Sequence, residues 1–486
     1  MQERRVDVAI IGAGSAGLSA YSAARAHTDS IVMIEGGPYG TTCARVGCMP
    51  GKLLIAAAET AHSVRDASAF GIHVDGRIEI NGRDVMARVR QERDRFVDNV
   101  IESVEDIDAE QRIRGHAIFE GPNTLLVDDH TRIHAERIVI ATGSSPDQPD
   151  FLKAAGHRLV TSDDIFYWED LPESVALFGP GVVGLEVGQA LSRLGVRVRM
   201  FGVDGAIGPI TDPSVLEYAD QHFNTEFHLD PEADTRNVAL VNDRVEVTFV
   251  ERGSEHEVTE QFDYLLATTG RPPNIEGLEI DQAHLAMNEG VPVFDRYTMQ
   301  CQHQDGTPAP VFIAGDASAE LPLLHEASDE GRIAGDNAGR YPDIRASHRR
   351  SMLLVVFTEP QIATVGKTWS EVEKHHHDSY ATGEASFEDQ GRARVMRQNH
   401  GLMRVYGEQG SGLFLGAEIF GPRVEHLAHL LAWCHQQRMT VTQMLDMPFY
   451  HPCIEEGLRS ALRDLNTALK QGPMISRHGM ESGPGS

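Results

Sequence analysis

Cysteine is scarce in this chain: five in 486 residues, at 43, 48, 301, 434 and 453, too few for a disulfide-built scaffold. Long apolar runs are missing as well, and no stretch approaches the ~18 residues a membrane-spanning helix needs. The start, Met1-Gln2-Glu3-Arg4-Arg5, leads into Val6–Ile11, a run interrupted by Asp7 and closed by glycine, too short for the core of a secretory signal. Basic residues are outnumbered, 43 Lys and Arg against 72 Asp and Glu, for a formal net charge of −29. Such a surface repels nucleic acid and anionic membrane, so neither is expected as a partner. The cytoplasm is the expected location, and no metal site is expected. What remains, 41% hydrophobic residues with 46 Gly and 23 Pro, is ordinary for a globular α/β enzyme of about three domains.

Two of the cysteines stand five residues apart in Thr41-Thr42-Cys43-Ala44-Arg45-Val46-Gly47-Cys48-Met49-Pro50-Gly51-Lys52. A regular helix would separate their Cα atoms by about 7.5 Å along its axis, beyond the roughly 7 Å a disulfide tolerates. The turn is therefore expected to leave ideal helix, which Gly47 permits at little steric cost. A pair held this way suits reversible opening, and Arg45 between the thiols is expected to favour a thiolate. Two unrelated buried cysteines or a structural bridge would give the same spacing. The adjoining cofactor-type loop and the expected reducing compartment favour a redox-active disulfide.

That loop is Gly12-Ala13-Gly14-Ser15-Ala16-Gly17, between the strand Val6–Ile11 and an Ala-rich helix expected over 18–26. Gly12, Gly14 and Gly17 let backbone N–H groups and the helix N-terminus approach a pyrophosphate. The next strand, 31–34, ends in Glu35, eighteen residues after Gly17, where an acid can hydrogen-bond ribose hydroxyls. Helices follow over 53–64 and 84–104, both read as simple packing. Short antiparallel strands are expected at 117–119, 124–127 and 132–134, and then a strand from Arg137 through Ala141 to Thr142 and Gly143.

A second unit opens with the strand 175–178 and another GxGxxG, Gly179, Gly181 and Gly184, followed by Glu186, a helix to Leu194 and a strand 196–201. Two dinucleotides are thus implied. The ribose-reading position at the end of that strand is Gly202, neither acid nor base, which leaves NAD against NADP open; Asp204 is the only nearby acid and points toward NAD. The segment 264–270 closes this unit at Gly270, and 311–316 reads as a strand ending in Asp316, suited to holding a polyol hydroxyl. From about His348 the pattern becomes α+β, with strands at 401–406 and 414–420 and a helix at 424–437. The tail 471–486, rich in Gly, Ser, Pro and Met, is expected to be disordered.

With two dinucleotide motifs, the Cys43/Cys48 pair and Tyr450-His451-Pro452-Cys453-Ile454-Glu455-Glu456, the chain resembles the flavin-dependent pyridine nucleotide-disulfide oxidoreductases over about residues 5–465. Within that family it looks most like the dihydrolipoyl dehydrogenases, with the glutathione reductases as close relatives. The resemblance implies an α/β fold of two Rossmann-like domains and an α+β dimerisation domain. Their expected extents are 1–147 with 272–347 for FAD, 148–271 for NAD(P), and 348–470 for the dimer contact. It implies FAD at Gly12, Gly14, Gly17, Glu35, Lys52, Thr142, Gly143 and Asp316, and NAD (with NADP open) at Gly179, Gly181, Gly184, Glu186 and Gly270. By the same resemblance Cys43 is the interchange thiol, Cys48 faces the flavin, and Lys52 pairs with Glu186 near its reactive edge. His451 and Glu456 act as a base on the other subunit of a homodimer, with dihydrolipoamide or a lipoylated protein domain as substrate.

The chain departs from the lipoyl pattern at Phe449, where a second His is usual, and at Cys453, where Thr or Ser is usual. Cys453 is read first as a small packed hydrophobe, with an accessory redox group as the alternative. Glutathione reductases carry an arginine in the helix after the first loop, where this chain has Ser19-Ala20-Tyr21-Ser22-Ala23; mercuric and large thioredoxin reductases end in a second cysteine pair, absent here. A reductase of another small disulfide, dependent on NAD(P)H and glutathione reductase-like, is the alternative. A non-catalytic flavoprotein subunit is a third possibility, against which the intact Cys43, Cys48, Lys52, Glu186, His451 and Glu456 argue.

Overall fold

The first strand, Gln2–Ile11, ends in Val8-Ala9-Ile10, wholly excluded from solvent, so its inner half is held by apolar contact on both faces. A computed structural model describes residues 1–472, and the expectation for the tail lies outside the described residues from 473 on. The strand pairs in parallel with Ile31–Glu35 on one side and Thr131–Ile140 on the other. Pro308–Ile313 continues the sheet beyond Thr131–Ile140, again in parallel, and the hairpin of Ala117–Gly121 and Thr124–Val127 joins the same strand. The second glycine loop sits on a separate five-stranded parallel sheet in the order His228–Asp230, Arg197–Phe201, Ser174–Phe178, Tyr264–Ala267, Leu159–Thr161. A three-stranded antiparallel sheet, Thr235–Val241, Arg244–Val250 and Glu257–Phe262, is inserted before Tyr264–Ala267. Both parallel sheets place their glycine loops at strand C-termini, where a doubly wound fold binds nucleotides.

From residue 353 on, five antiparallel strands form the last sheet in the order Leu353–Val356, Gln361–Gly366, Phe414–Gly421, Leu402–Glu408, Tyr380–Ser386. The helices Val424–Gln436 and Glu455–Ala468 bury their apolar faces on it. The α/β class with an α+β C-terminal portion is therefore as expected from sequence.

Three local expectations are corrected. The strands anticipated at 132–134 and 137–143 are one strand that ends earlier, Thr131–Ile140, because burial continues through Ala135 and only Glu136 is exposed. The helix anticipated from 53 begins at Cys48 and runs to Asp66. Pro50 sits in its first turn, where the missing N–H leaves no hydrogen bond unmade. Asp316 lies not at the end of its strand but in the 3-10 turn Gly315–Ser318 that follows. No helix among the described residues is long and apolar enough to cross a membrane. No group of three or more His, Cys, Asp or Glu among them could hold a metal ion.

A buried polar joint fixes the last sheet to the second nucleotide unit. Glu418, on Phe414–Gly421 and fully inaccessible, accepts the N–H groups of Thr211 (2.7 Å), Asp212 (2.9 Å) and Trp369 (2.7 Å) and the Thr211 hydroxyl (2.6 Å). Asp212, equally buried, accepts from Tyr406 (3.0 Å) and Arg404 (3.1 Å) and caps the helix Pro213–Phe223. Glu418→Leu would strand three backbone N–H groups, that of Asp212 buried and those of Thr211 and Trp369 part-buried, at ~1–3 kcal/mol each. Its expected loss of ~3 kcal/mol or more in denaturant unfolding contrasts with the near-zero change that a peripheral ion pair would give.

Candidate active site

Thr41, at φ 55°, caps the short helix Thr42–Val46 by accepting the Ala44 N–H on its hydroxyl at 3.3 Å. Gly47 (φ −122°, ψ −116°) breaks that helix, and the helix Cys48–Asp66 starts at once. A Cβ on residue 47 would stand 3.1 Å from the Thr42 carbonyl oxygen and 3.2 Å from the Cys43 Cα, so only glycine lets the two segments fold so closely. Both thiols are free in this structure, one of the two states that a redox-active pair takes. The interaction between the two thiols is the largest influence on both groups. It pushes the Cys43 thiol far up, with burial adding, and draws Cys48 down to about 7 against the pull of burial.

The cation that helps Cys48 is Lys52, not Arg45. Lys52 is four residues beyond Cys48 on one helix and shares its face, whereas residues two apart, like Cys43 and Arg45, do not. Arg45 turns instead to the Tyr167 hydroxyl at 3.5 Å. The Lys52 ammonium donates to both oxygens of Glu186, at 2.8 and 2.6 Å, and lies 4.5 Å above the ring of Phe357. The Phe357 N–H adds a third bond to Glu186 at 2.8 Å. Glu186 is 8% exposed and Lys52 33%, so the carboxylate is the member that water could not rescue if the pair were broken.

Phe357 was not found from sequence, nor were Gln189 and Glu359 behind the pair. Gln189 stands three residues after Glu186 on the same helix, a spacing that could have signalled it. Its amide accepts the Glu359 N–H and donates to the Glu359 carbonyl, both at 2.8 Å. Burial pushes the Glu359 carboxyl up to about 7, Arg193 opposing.

The glycine loops form two matching cradles. A Cβ on Gly12 would fall 2.2 Å from the Ala141 carbonyl oxygen and one on Gly17 1.9 Å from that of Gly12, whereas Gly14 faces open space. In the second loop a Cβ on Gly184 would lie 2.0 Å from the Gly179 carbonyl oxygen, and Gly181 and Gly270 face open space. The helices Ser15–Ala24 and Val182–Arg193 both begin without a side-chain cap, leaving first-turn N–H groups for an anion. These features fit a pyrophosphate at each loop. Glu35 accepts the N–H groups of Ala13 and Gly37, both at 2.7 Å, which fixes the acid beside the first loop. Asp316 accepts the Ser144 hydroxyl at 2.7 Å, Thr142 donates to the Asn274 carbonyl at 2.7 Å, and the Gly143 carbonyl accepts the Asn274 N–H at 2.8 Å. Thr268 plays the corresponding part behind the second loop, donating to the carbonyls of Phe178 (2.9 Å) and Gly179 (2.7 Å).

His451 and Glu456 form a unit of their own. Nδ1 of His451 is 2.9 Å from Glu456 Oε1, and Oε2 of the same carboxylate accepts the Cys453 N–H at 3.1 Å. His451 is 67% exposed, so its free ring nitrogen is open to a partner from outside. Burial pushes the Cys453 thiol up to about 11, and it donates to the Tyr450 carbonyl, as a neutral packed thiol does. Phe449 packs against the apolar core of the last sheet. The structure thus brings together Cys43, Cys48, Lys52 and Glu186, and holds His451 and Glu456 as a separate pair.

The pyridine nucleotide-disulphide oxidoreductase family matches residues 6–331, and the dimerisation domain of the same family matches residues 352–462, which indicates a homodimer. Dihydrolipoyl dehydrogenase of Bacillus subtilis is 27% identical over 464 residues, 94% of this chain and 97% of that protein. Mycothione reductase of Mycobacterium tuberculosis is 30% identical over 481 residues (94% and 99%), and mercuric reductase of Shigella flexneri 29% over 478 (96% and 81%). Among solved structures, LpdA of Mycobacterium tuberculosis superposes with a TM-score of 0.79 at 23% identity, covering 95% of this chain and 99% of that one, a likeness of fold.

Thiolate formation in the reduced protein, followed by ultraviolet absorbance against pH, is expected with a first midpoint at about 7 from Cys48. Cys43→Ala removes the neighbouring thiol and Lys52→Met removes a cation, so each moves that midpoint upward, the former further. A midpoint unmoved by either change would contradict the assignment.

Proposed function

Because the chain belongs to the pyridine nucleotide-disulphide oxidoreductase family, we propose that it is a dihydrolipoyl dehydrogenase, oxidising dihydrolipoamide or a lipoylated protein domain through Cys43 and Cys48. FAD, when bound, supplies the two-electron exchange with the nicotinamide. Gly12, Gly14, Gly17, Glu35, Thr142, Gly143 and Asp316 would hold it, and Gly179, Gly181, Gly184 and Gly270 the pyridine nucleotide. The unequal thiol pair is the observation that carries this proposal. A substrate thiolate attacks the Cys43 sulfur of the disulfide, and Cys48 leaves. Drawn down to about 7, Cys48 is the better leaving group of the two. The second substrate thiol then attacks the substrate sulfur of the mixed disulfide and releases Cys43, which takes up a proton beside the Cys48 thiolate.

His451 of the partner subunit takes the proton from the attacking thiol. Glu456 holds the imidazole in one tautomer and stabilises its charged form. Lys52 and Glu186 keep a fixed charge pair that acts on Cys48, and they would hold it near the reactive edge of FAD when FAD is bound. The proposed domains follow the sheets: 1–147 with 272–347, 148–271, and 348–470. A second activity, NAD(P)H-dependent reduction of another small disulfide, is favoured by one observation: Phe449, partly buried and packed against the core of the last sheet, stands where the lipoyl enzymes usually carry a histidine.

Initial rates separate the two. Dihydrolipoamide with NAD or NADP should give rapid reduced nucleotide, and NADH or NADPH with oxidised glutathione should not; the reverse would assign a reductase. His451→Gln should lower turnover with the dithiol by ~10² or more, whereas near-normal turnover would remove His451 from the mechanism.

A further inference from the structure

Asp316 sits on the short turn Gly315–Ser318 between the strand Pro308–Ile313 and the helix Leu324–Arg340. The turn is wedged at its start. Gly315 has φ 72°, and a Cβ there would lie 2.8 Å from that of Ala16 on the first-loop helix and 3.4 Å from that of Ala327. The helix Leu324–Arg340 itself lies backbone to backbone on Ser15–Ala24. Cβ atoms on Gly331 and Gly335 would fall 2.2 and 2.1 Å from the carbonyl oxygens of Ala16 and Ala20.

Glu330, the residue before Gly331, reaches back to this turn. One of its oxygens accepts the Gly315 N–H at 2.9 Å and the Ser318 hydroxyl at 3.1 Å, and so ties the two ends of the turn together around Asp316. The other accepts Nη2 of Arg349 at 2.7 Å, and that same nitrogen donates to Glu326 at 2.7 Å. Nη1 of Arg349 adds the Arg296 carbonyl at 3.3 Å and Glu320 at 3.5 Å. Glu330 is wholly excluded from solvent, Glu326 is 3% exposed, and the Arg349 side chain 7%. Arg349 belongs to the segment that enters the dimerisation domain, whose family match starts at residue 352. Two residues on, the Ser351 N–H donates to the Gln436 side chain at 2.6 Å, and the Ser351 hydroxyl meets His435 Nδ1 at 2.8 Å, both on the helix Val424–Gln436.

Two buried carboxylates around one guanidinium are not needed to hold a fold together, since packed apolar residues commonly replace such a cluster without loss. This cluster even leaves the Arg349 Nε buried with no partner among the described residues. An apolar cluster, however, could offer no acceptor to Gly315 and Ser318. Burial pushes the Glu330 carboxyl up, and Arg349 opposes it. Without the guanidinium, Glu326 and Glu330 would face each other as like charges and take up a proton, putting an O–H where an acceptor stands.

Granted the role proposed above for Asp316 at FAD, we infer that Glu330 and Arg349 are positioning residues for that cofactor. They fix the turn Gly315–Ser318, thereby aim Asp316, and tie that aim to the segment entering the dimerisation domain. Glu330, wholly buried, acts through the turn.

The test is the dissociation constant of FAD from the full-length holoprotein, measured by ultrafiltration over a dilution series, with far-ultraviolet circular dichroism to follow the fold. Glu330→Gln keeps the shape of the side chain, but its NH₂ must face either Arg349 or the Gly315 N–H, donor against donor. It should weaken FAD binding ~10-fold or more, the ratio that loss of one hydrogen bond to a charged group represents. Arg349→Met should do the same, whereas Arg349→Lys, whose ammonium can donate to both carboxylates, should stay within a few-fold of the unaltered protein. Asp316→Asn separates positioning from general stability. In that background Glu330→Gln should add little, because two changes on one path are not additive. The cycle uses only isosteric changes, so a folding defect in Arg349→Met leaves it decisive. Additive losses in the cycle, or unaltered FAD binding in Glu330→Gln where Asp316→Asn weakens it, would overturn the inference. FAD binding that Asp316→Asn leaves unchanged would overturn instead the assignment of Asp316 on which it rests.

Discussion

One ion pair ties the chemistry to the scaffold. Glu186, on the helix of the second glycine loop, receives Lys52 from the cysteine helix and the Phe357 N–H from the segment between the first two strands of the last sheet. Three stretches of chain far apart in sequence thus converge on one buried carboxylate. Its cost is met locally, because each Glu186 oxygen has a donor and the Lys52 charge also faces the Phe357 ring. The placement of Lys52 then follows from helix periodicity alone: one turn back along the same face is Cys48.

From that placement the inequality of the thiols follows. Two cysteines five apart would be equivalent in a solvated loop. Here the break at Gly47 brings them together, their mutual interaction draws Cys48 down, and the Lys52 cation acts on Cys48 as well. Attack at Cys43 and departure of Cys48 is the direction this arrangement favours. The nucleotide cradles lie at the C-terminal ends of two separate parallel sheets, and the joint of Glu418 with Thr211 and Asp212 holds the second of them to the dimerisation domain.

What was legible in the sequence was local. The glycine loops, Glu35 after the second strand and the alternation through Thr124–Val127 each announce themselves within a few residues. The helical start at Cys48 was missed because Pro50 and Gly51 are poor helix formers in general, though Pro is at home in a first turn. Arg45 was named over Lys52 because nearness in sequence is not nearness on a helix surface. Phe357, Glu359 and the Glu418 joint could not be read at all, since each depends on a partner 170 or more residues away: Glu186 from Phe357 by 171, Gln189 from Glu359 by 170, Thr211 from Glu418 by 207. The roles of His451 and Glu456 came from resemblance to a family motif, since a single histidine among 23 carries no signal by itself.

With FAD held at the first glycine loop, Cys48 would be the thiolate that meets it once the disulfide is opened. The most direct measurement is the absorption spectrum of the FAD-loaded protein after anaerobic addition of two electrons from dithionite. Cys43 and Cys48 should accept them while the flavin stays oxidised, and a long-wavelength thiolate-to-flavin band should appear. The band should be present without reduction in Cys43→Ser and absent in Cys48→Ser. Bleaching of the flavin by the first two electrons, with no such band in the unaltered protein, would contradict the account.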